Sequence, residues 1–323
     1  MKAILYYVYG SPDVLKYEEI EKPRAGEDQV LIKVRAAALN PLDWHFMRGT
    51  PYVVRVAASG LRKPKDQRLG VDVAGQVEAV GRKVKEFNAG DAVFGTCRGA
   101  FAEYACTAET SLVMKPENVT FEQAAAVPVA AFTALQGLRD KGKIRPGQKV
   151  LINGAAGGVG TFGVQIAKAF GAEVTGVCST RNLEMVRSIG ADHLIDYTNE
   201  DFTKGQLGYD LILDCVGNHS LSSGKRVLRP KGRLVMAGGA SGRWKMGLTR
   251  GILAMVLSLF GSRKLVGMLA KMRKEDLVVL KDLLEAGKVA PVVDRSYRLS
   301  ELPEAMWYLE EGHARGKVVI SLD

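Results

Sequence analysis

Histidine and cysteine are scarce in this chain, four of each among 323 residues. The cysteines (Cys97, Cys106, Cys178, Cys215) form no CxxC pair, and four in this length do not make a disulfide framework. They read as free thiols in a reducing cytoplasm. The histidines (His45, His193, His219, His313) are scattered, so they do not supply the three or four ligands that zinc requires. A long hydrophobic run is also missing. The longest stretch without Asp, Glu, Lys or Arg is Val150 to Ala167, whose 18 residues include five glycines, Asn153, Thr161 and Gln165. A membrane-spanning helix needs about 20 predominantly apolar residues. The opening MKAILYYVYGSPD lacks a small-residue cleavage site and reads as a strand entering a turn, not as a secretory signal. Acidic residues are outnumbered, 35 against 45 Lys plus Arg, for a net charge of +10. Such a surface suits phosphate, anionic lipid or nucleic acid, or is simply that of a basic soluble protein. One segment concentrates the excess: Arg243 to Lys274 holds eight basic residues and no acidic one.

What is present is a globular composition, 47% apolar and 25% charged, sufficient for a sizeable core. At about 100–200 residues per domain, the length predicts two domains. Residues 1 to about 120 read as β-rich. Short runs of branched and aromatic residues (KAILYY, QVLIKVRAAAL, GQVEAVG, DAVFG, FAEYACT, SLVMK) are separated by turn signals, the pattern of a barrel or sandwich. From about 121, strands such as KVLING, EVTGVC, YDLILDCVG and GRLVMAGG alternate with helices of 8–15 residues, which predicts βαβ units and a parallel sheet. Residues 275–323 add two helices, an extended piece and a final strand, GKVVISL.

The sharpest motif is KVLINGAAGGVGTFGVQIAKAFG, Lys149 to Gly171. A buried strand enters a glycine turn and an amphipathic helix follows. In the GxGxxG fingerprint the first position makes the turn, the second admits a pyrophosphate, and the third lets helix and strand pack closely. Here those positions are Ala155, Gly157 and Gly160, with Gly158 and Val159 between them. Backbone N–H groups at the helix N-terminus would hold the pyrophosphate. The next strand, EVTGVC, ends in Ser179-Thr180-Arg181-Asn182, with no carboxylate for a ribose 2′-hydroxyl. Hydroxyls and a guanidinium suit a 2′-phosphate instead, so the expected cofactor is NADPH. The alternatives are that Arg181 is a solvated residue opening the next helix and that Thr180 caps it.

Several stretches together resemble the medium-chain dehydrogenase/reductase superfamily, in its zinc-independent, quinone-oxidoreductase-like (zeta-crystallin-like) branch. They are ALNPLDWHFMRG, GVDVAGQVEAVGRKVKEFNAGDAVFG, FAEYA, AAAVPVAAFTALQGL, INGAAGGVG, the CSTRN and GADHLIDY pair, DCVG and HARGKVVI. The resemblance implies an α/β fold in two parts. A GroES-like, β-rich catalytic domain would comprise 1–121 together with 275–323. A Rossmann domain, a doubly wound parallel sheet of order 3-2-1-4-5-6, would comprise 122–274. Zinc members of the superfamily carry GHE where this chain has Gly70-Val71-Asp72, and their first Cys ligand falls near Asn40. No metal is therefore expected, and Asp72 reads as structural. The resemblance places Asn40 in the wall of the nicotinamide pocket, with Asp43 closing it. It assigns further cofactor contacts to Thr133, Tyr197, Cys215-Val216-Gly217, Ala237-Gly238-Gly239 and Lys317.

The implied activity is hydride transfer from NADPH to a quinone or an α,β-unsaturated carbonyl, since without a Lewis acid an already electrophilic carbon is the better acceptor. The developing oxygen needs a donor; Tyr52, Tyr104 and His45 are the candidates, with Tyr52 the catalytic choice after Asn40, and the alternatives are that these side chains are packed or surface residues and that solvent is the acid. Two alternatives stand: a zinc-free alcohol or aldehyde reductase, and a non-catalytic, NADPH-regulated protein that binds RNA or membrane. Nucleic acid is the weaker partner, because there is no aromatic-studded RNP-like strand and no basic recognition helix. A homodimer in the cytoplasm, acting on a small lipophilic substrate, is the expected state. Residues 244–274 are the individual feature, with the apolar run Gly251–Phe260 flanked by Arg250, Arg263 and Lys264. Three readings stand for it: a helix at a dimer contact or over the substrate, a helix on an anionic membrane surface, or a mobile lid.

Overall fold

The computed structural model describes residues 1–56, 60–205, 208–238, 253–254, 258 and 261–322. The chain divides into two compact units. The first comprises Met1–Val129, Met272–Gly287 and Pro291–Asp323; the second comprises Ala130–Lys271 and Lys288–Ala290.

In chain order the first stretch holds β1 (Lys2–Leu5), β2 (Lys16–Glu19), β3 (Gln29–Ala38), α1 (Pro41–Arg48), β4 (Asp72–Val80), β5 (Ala92–Thr96), β6 (Tyr104–Ala108), β7 (Leu112–Met114) and α2 (Phe121–Ala125). Then follow α3 (Pro128–Gln136), β8 (Lys149–Asn153), α4 (Gly158–Ala169), β9 (Glu173–Cys178), α5 (Leu183–Ser188) and β10 (His193–Asp196). Next come β11 (Tyr209–Asp214), α6 (Leu221–Arg226), β12 (Leu228–Met236) and β13 (Lys264–Gly267). The chain ends with α7 (Lys274–Glu285), β14 (Val293–Arg298), α8 (Leu302–Glu310) and β15 (Lys317–Ser321).

The first unit is built on β3, a ten-residue strand whose sequence, QVLIKVRAAA, is long and apolar enough to be shared. One edge pairs antiparallel with β4. The other edge is divided: Gln29–Lys33 pair with β6, and Ala36–Ala38 pair with β15. The sheet order is β14-β15-β3-β4-β5-β7, so strands from both ends of the chain complete one sheet. Ile4, Val30, Ile32, Val34, Val73, Phe101 and Val318 fill its core. Helix α8 adds Leu302, Ala305 and Met306, spaced three and four apart on one buried face. Helix α1 starts at Asn40 and stops at Gly49, whose φ of +60° supplies the left-handed cap.

The second unit is a six-stranded sheet in the order β10-β9-β8-β11-β12-β13, and every pairing in it is parallel. Renumbered within the unit this is 3-2-1-4-5-6, the doubly wound order expected. The order reverses between β8 and β11, and ligands of such sheets bind at the carboxyl ends of the strands flanking that reversal. The stretch KLVGMLA, 264–270, reads in the sequence as the sixth strand of this sheet, and β13 forms its first four residues, Lys264–Gly267. The expected helix Gly251–Phe260, and with it the role of 244–274, falls largely outside the described residues. No described helix is long and apolar enough to cross a membrane.

Candidate active site

The second unit presents the glycine turn at the carboxyl end of β8. Gly154 turns the chain at a φ of +84°, and Gly154 and Ala155 donate to the Val177 carbonyl at 3.2 and 2.9 Å. The turn is thereby fastened to β9. The small residues then separate by task. A Cβ on Gly160 would lie 2.0 Å from the Gly154 carbonyl oxygen and 2.8 Å from Ala155 Cα, so only glycine lets α4 close on the turn. A Cβ on Gly157 would meet nothing nearer than 3.5 Å. Gly157, Gly158 and Val159 are partly exposed, whereas Ala155 and Gly160 are buried. Gly157 is the N-cap of α4, no side chain caps that end, and no acidic residue sits in its first turn. Uncapped N–H groups and open space beside a glycine fit a dinucleotide pyrophosphate.

At the end of β9, Ser179 is partly exposed and Arg181 exposed. Thr180 is committed elsewhere. Its hydroxyl donates to Asp196 Oδ2 at 2.5 Å, which answers the question of whether it caps α5. Asp196, at the end of β10, is a residue that sequence reasoning missed. It accepts from Thr180, the Thr198 N–H and hydroxyl, and Asn199 Nδ2. These hydrogen bonds, Thr180's foremost, hold its carboxyl below the usual range. With both oxygens already accepting, it braces the Ser179–Arg181 turn. Tyr197 beside it is 55% exposed, with its N–H on the Cys178 carbonyl.

Across the strand-order reversal a second brace was also unread in the sequence. Asn153 Nδ2 donates to Asp214 Oδ1 at 2.8 Å, tying the end of β8 to the end of β11. The same oxygen accepts the Gly217 and Val216 amides at 2.8 and 3.3 Å, which shapes the Cys215-Val216-Gly217 turn. Ala237 and Gly238 donate to the Asp214 carbonyl, and a Cβ on Gly238 would sit 2.1 Å from the Cys215 carbonyl oxygen. The turns after β8, β11 and β12 therefore form one fastened rim. Burial pushes the Cys215 thiol up, consistent with a packed residue and not a nucleophile. Thr133 is half-buried on α3. Gly239 lies outside the described residues.

The first unit gathers Asn40, Asp43, Asp72 and Lys317, all at most 4% exposed. Asn40 is the N-cap of α1, and Pro41 at the first helical position suits that start. Asp43 reaches back so that Oδ2 accepts the Asn40 N–H at 2.8 Å, while Oδ1 accepts the Gly70 N–H at 3.2 Å. The Asn40 amide is saturated: Nδ2 donates to Asp72 Oδ2 at 2.9 Å and to the Ala38 carbonyl at 3.3 Å, and Oδ1 accepts from Lys317 Nζ at 2.6 Å. Lys317 Nζ also lies 3.3 Å from Asp72 Oδ2, and Asp72 Oδ1 accepts the Val129 N–H at 3.0 Å. Asp72, read from sequence as structural, is thus the buried counter-ion of Lys317.

Tyr52 is half-buried, and the Arg55 guanidinium lies 5.0 Å from its ring and 4.3 Å from that of Tyr9. Arg55 Nε donates to the Gly49 carbonyl at 2.8 Å, which anchors the segment after α1. His45 sits 2.7 Å from the Thr50 carbonyl through Nδ1, so that nitrogen carries the proton. Burial pushes its pKa down. A neutral ring with Nε2 bare accepts a proton better than it gives one, which weakens His45 as a donor. Tyr104 lies under Lys22 Nζ at 3.8 Å.

Burial, reinforced by the Asp72 charge, pushes the Asp43 carboxyl up to about 7 from 3.8, against the hydrogen bonds it accepts from Asn40 and Gly70. Between about pH 4 and 7 the folded chain keeps a proton that the unfolded chain has lost. Stability from this group is full below pH 4 and is lost as pH rises through 7, by up to about 1.4 kcal/mol per pH unit. Urea titrations of Asp43→Asn between pH 4.5 and 8 should show this part of the slope removed; an unchanged slope would place the titration elsewhere.

Comparison with known proteins gives concordant findings. Residues 26–117 match the family profile described as alcohol dehydrogenase GroES-like domain, and 189–320 match zinc-binding dehydrogenase. A 2-methylene-furan-3-one reductase of Solanum lycopersicum is 37% identical over 335 residues, covering 99% of this chain and 79% of the relative. A chloroplastic NADPH-dependent alkenal/one oxidoreductase of Arabidopsis thaliana is 37% identical with the same coverage. The structure of a quinone oxidoreductase from Coxiella burnetii superposes with a TM-score of 0.85 at 32% identity, covering 100% of this chain and 99% of that one. The second profile's description refers to zinc, and the donor set here does not fit that ion. Position 71 is Val, Asn40 offers an amide, and Asp72 Oδ2 already accepts from Asn40 and Lys317. Among the described residues no group of three or more His, Cys, Asp or Glu could hold a metal ion.

Proposed function

Because the chain belongs to the quinone-oxidoreductase-like branch of the medium-chain dehydrogenase/reductase superfamily, we propose that it reduces quinones or α,β-unsaturated carbonyls with NADPH, without zinc. The observation that carries this reading is the fastened glycine turn, with its uncapped helix end and the open space beside Gly157. The relatives' names supply the substrate class. A bound nicotinamide would supply the hydride; the chain's residues bind, orient and polarise. Gly158 and Val159 present N–H groups to the pyrophosphate, while Gly157, whose own N–H donates to the Gly154 carbonyl at 3.1 Å, leaves room for it. Ser179 and Arg181 receive the 2′-phosphate, and Asp196 holds their turn through Thr180. Asn40 forms part of the pocket wall, kept rigid by Lys317 and Asp72, and Tyr52 donates to the oxygen where charge develops. A homodimer belongs to the proposal, since β13 is the outer strand of its sheet and no described strand pairs with its other edge.

The test is turnover of a conjugated enone, p-benzoquinone and a saturated ketone, with NADPH and with NADH, after chelator treatment. We expect oxidation of NADPH with the first two and none with the third. Comparable turnover of the saturated ketone would favour an alcohol or aldehyde reductase. Arg181→Ala should raise KM for NADPH about tenfold and leave that for NADH unchanged, since one charge-assisted contact is lost. Equal effects on both cofactors would remove Arg181 from phosphate recognition.

A further inference from the structure

The first unit carries a concavity of about 540 Å³ that none of the chemistry above uses. Its wall holds Arg24, Arg68 and Arg98 and no Asp or Glu. Arg68 is already engaged: its Nε and Nη2 donate to Asp66 at 3.1 and 3.2 Å, so that pair is close to neutral. Arg24 and Arg98 are exposed and make no hydrogen bond or close ion pair among the described residues, although the Arg98 charge helps hold the Asp66 carboxyl below its usual range. Deeper in, Thr96 is only 6% exposed, yet its hydroxyl has no partner among the described residues. Gln29, which also lines the concavity, turns Oε1 to the Gly26 N–H at 3.1 Å and keeps Nε2 as a donor. Ser111 adds a second hydroxyl without a partner among the described residues.

Two guanidinium groups without a hydrogen-bond partner among the described residues, of which Arg98 also feels the Asp66 charge, stand beside hydroxyl and amide donors and make a surface whose complement is an oxyanion. Guanidinium forks match carboxylate and phosphate oxygens, and the volume lies within the range of small-ligand sites. We propose that this concavity binds a small organic anion carrying two or more carboxylate or phosphate groups, held by Arg24 and Arg98 and oriented by Thr96, Gln29 and Ser111. Every lining residue belongs to the first unit, whereas the glycine turn belongs to the second, so this site shares no residue with the phosphate loop.

Calorimetric titration of the full chain at low salt tests it, with inorganic pyrophosphate and citrate as probes and saturating NADPH present to occupy the glycine turn. We expect one saturable site for at least one probe. Pyrophosphate preferred points to a phosphate ligand, citrate preferred to a polycarboxylate. Arg24→Gln with Arg98→Gln should weaken that binding at least tenfold, and Thr96→Val about threefold, while NADPH affinity and the melting temperature stay unchanged. Arg24→Lys with Arg98→Lys should recover part of the loss. No saturable heat from either probe, or equal affinity in the double glutamine variant, overturns the proposal. Absence of NADPH binding alongside intact anion binding would count against the reductase reading alone.

Discussion

Gly160→Ala should cost this protein roughly 100-fold or more in NADPH affinity, about 2.8 kcal/mol, together with much of its thermal stability. The reason is a collision within the backbone. The added methyl would lie 2.0 Å from the Gly154 carbonyl oxygen and 2.8 Å from Ala155 Cα, and no rotamer change can relieve it. Helix α4 would have to withdraw from β8, taking its N-terminal N–H groups away from the pyrophosphate. Gly157→Ala is the informative companion. Its methyl meets nothing nearer than 3.5 Å, so the melting temperature should hold. Affinity for NADPH should still fall about tenfold or more, because the methyl fills the space through which a phosphate approaches the helix end. Fluorescence titration and thermal melts on both variants separate the two roles. A Gly157→Ala protein that binds NADPH like the parent would show that this turn is not the pyrophosphate site.

Lys317→Met should be strongly destabilising to the first unit. It removes the only cation among the described residues that is hydrogen-bonded to Asp72 and strands Asn40 Oδ1 as well, in a cluster at most 4% exposed. Breaking a buried pair by deleting one partner costs about 3–5 kcal/mol, because the remaining charge is left without compensation. In a chain of this size that corresponds to a melting temperature lower by roughly 10 °C. Adding Asp72→Asn to Lys317→Met should restore part of the loss, since the second change removes the stranded charge. A double variant less stable than Lys317→Met would show that the hydrogen bonds of Asp72 to Asn40 and Val129, and not its pairing with Lys317, decide the stability.

The pH slope from Asp43 belongs to the same cluster. Its carboxyl is held near the Asp72 charge and out of water, so removing Lys317 should push the Asp43 titration further up. The two experiments therefore check one another.

By itself the sequence determined what depends on neighbours along the chain. The glycine turn, the helix behind it, the β-rich opening and the alternation from about residue 121 are each carried by a few consecutive residues. Their signals are local: glycine's freedom, a 3.6-residue period, branched runs between turn residues. The doubly wound order followed from a resemblance and is found in the sheet. Only the tertiary structure decided which polar groups meet. Asn40 and Lys317 are 277 residues apart, Asn153 and Asp214 are 61 apart, and Thr180 and Asp196 are 16 apart. Each pair joins the ends of different elements, and no local pattern marks a carboxylate as one that will brace a turn and not face a ribose. Lys317 was assigned to the nicotinamide side by resemblance. Its burial against Asp72 became visible only once β15 was laid beside β3, because a lysine's choice of partner in the interior is set by which strand ends the sheet brings together.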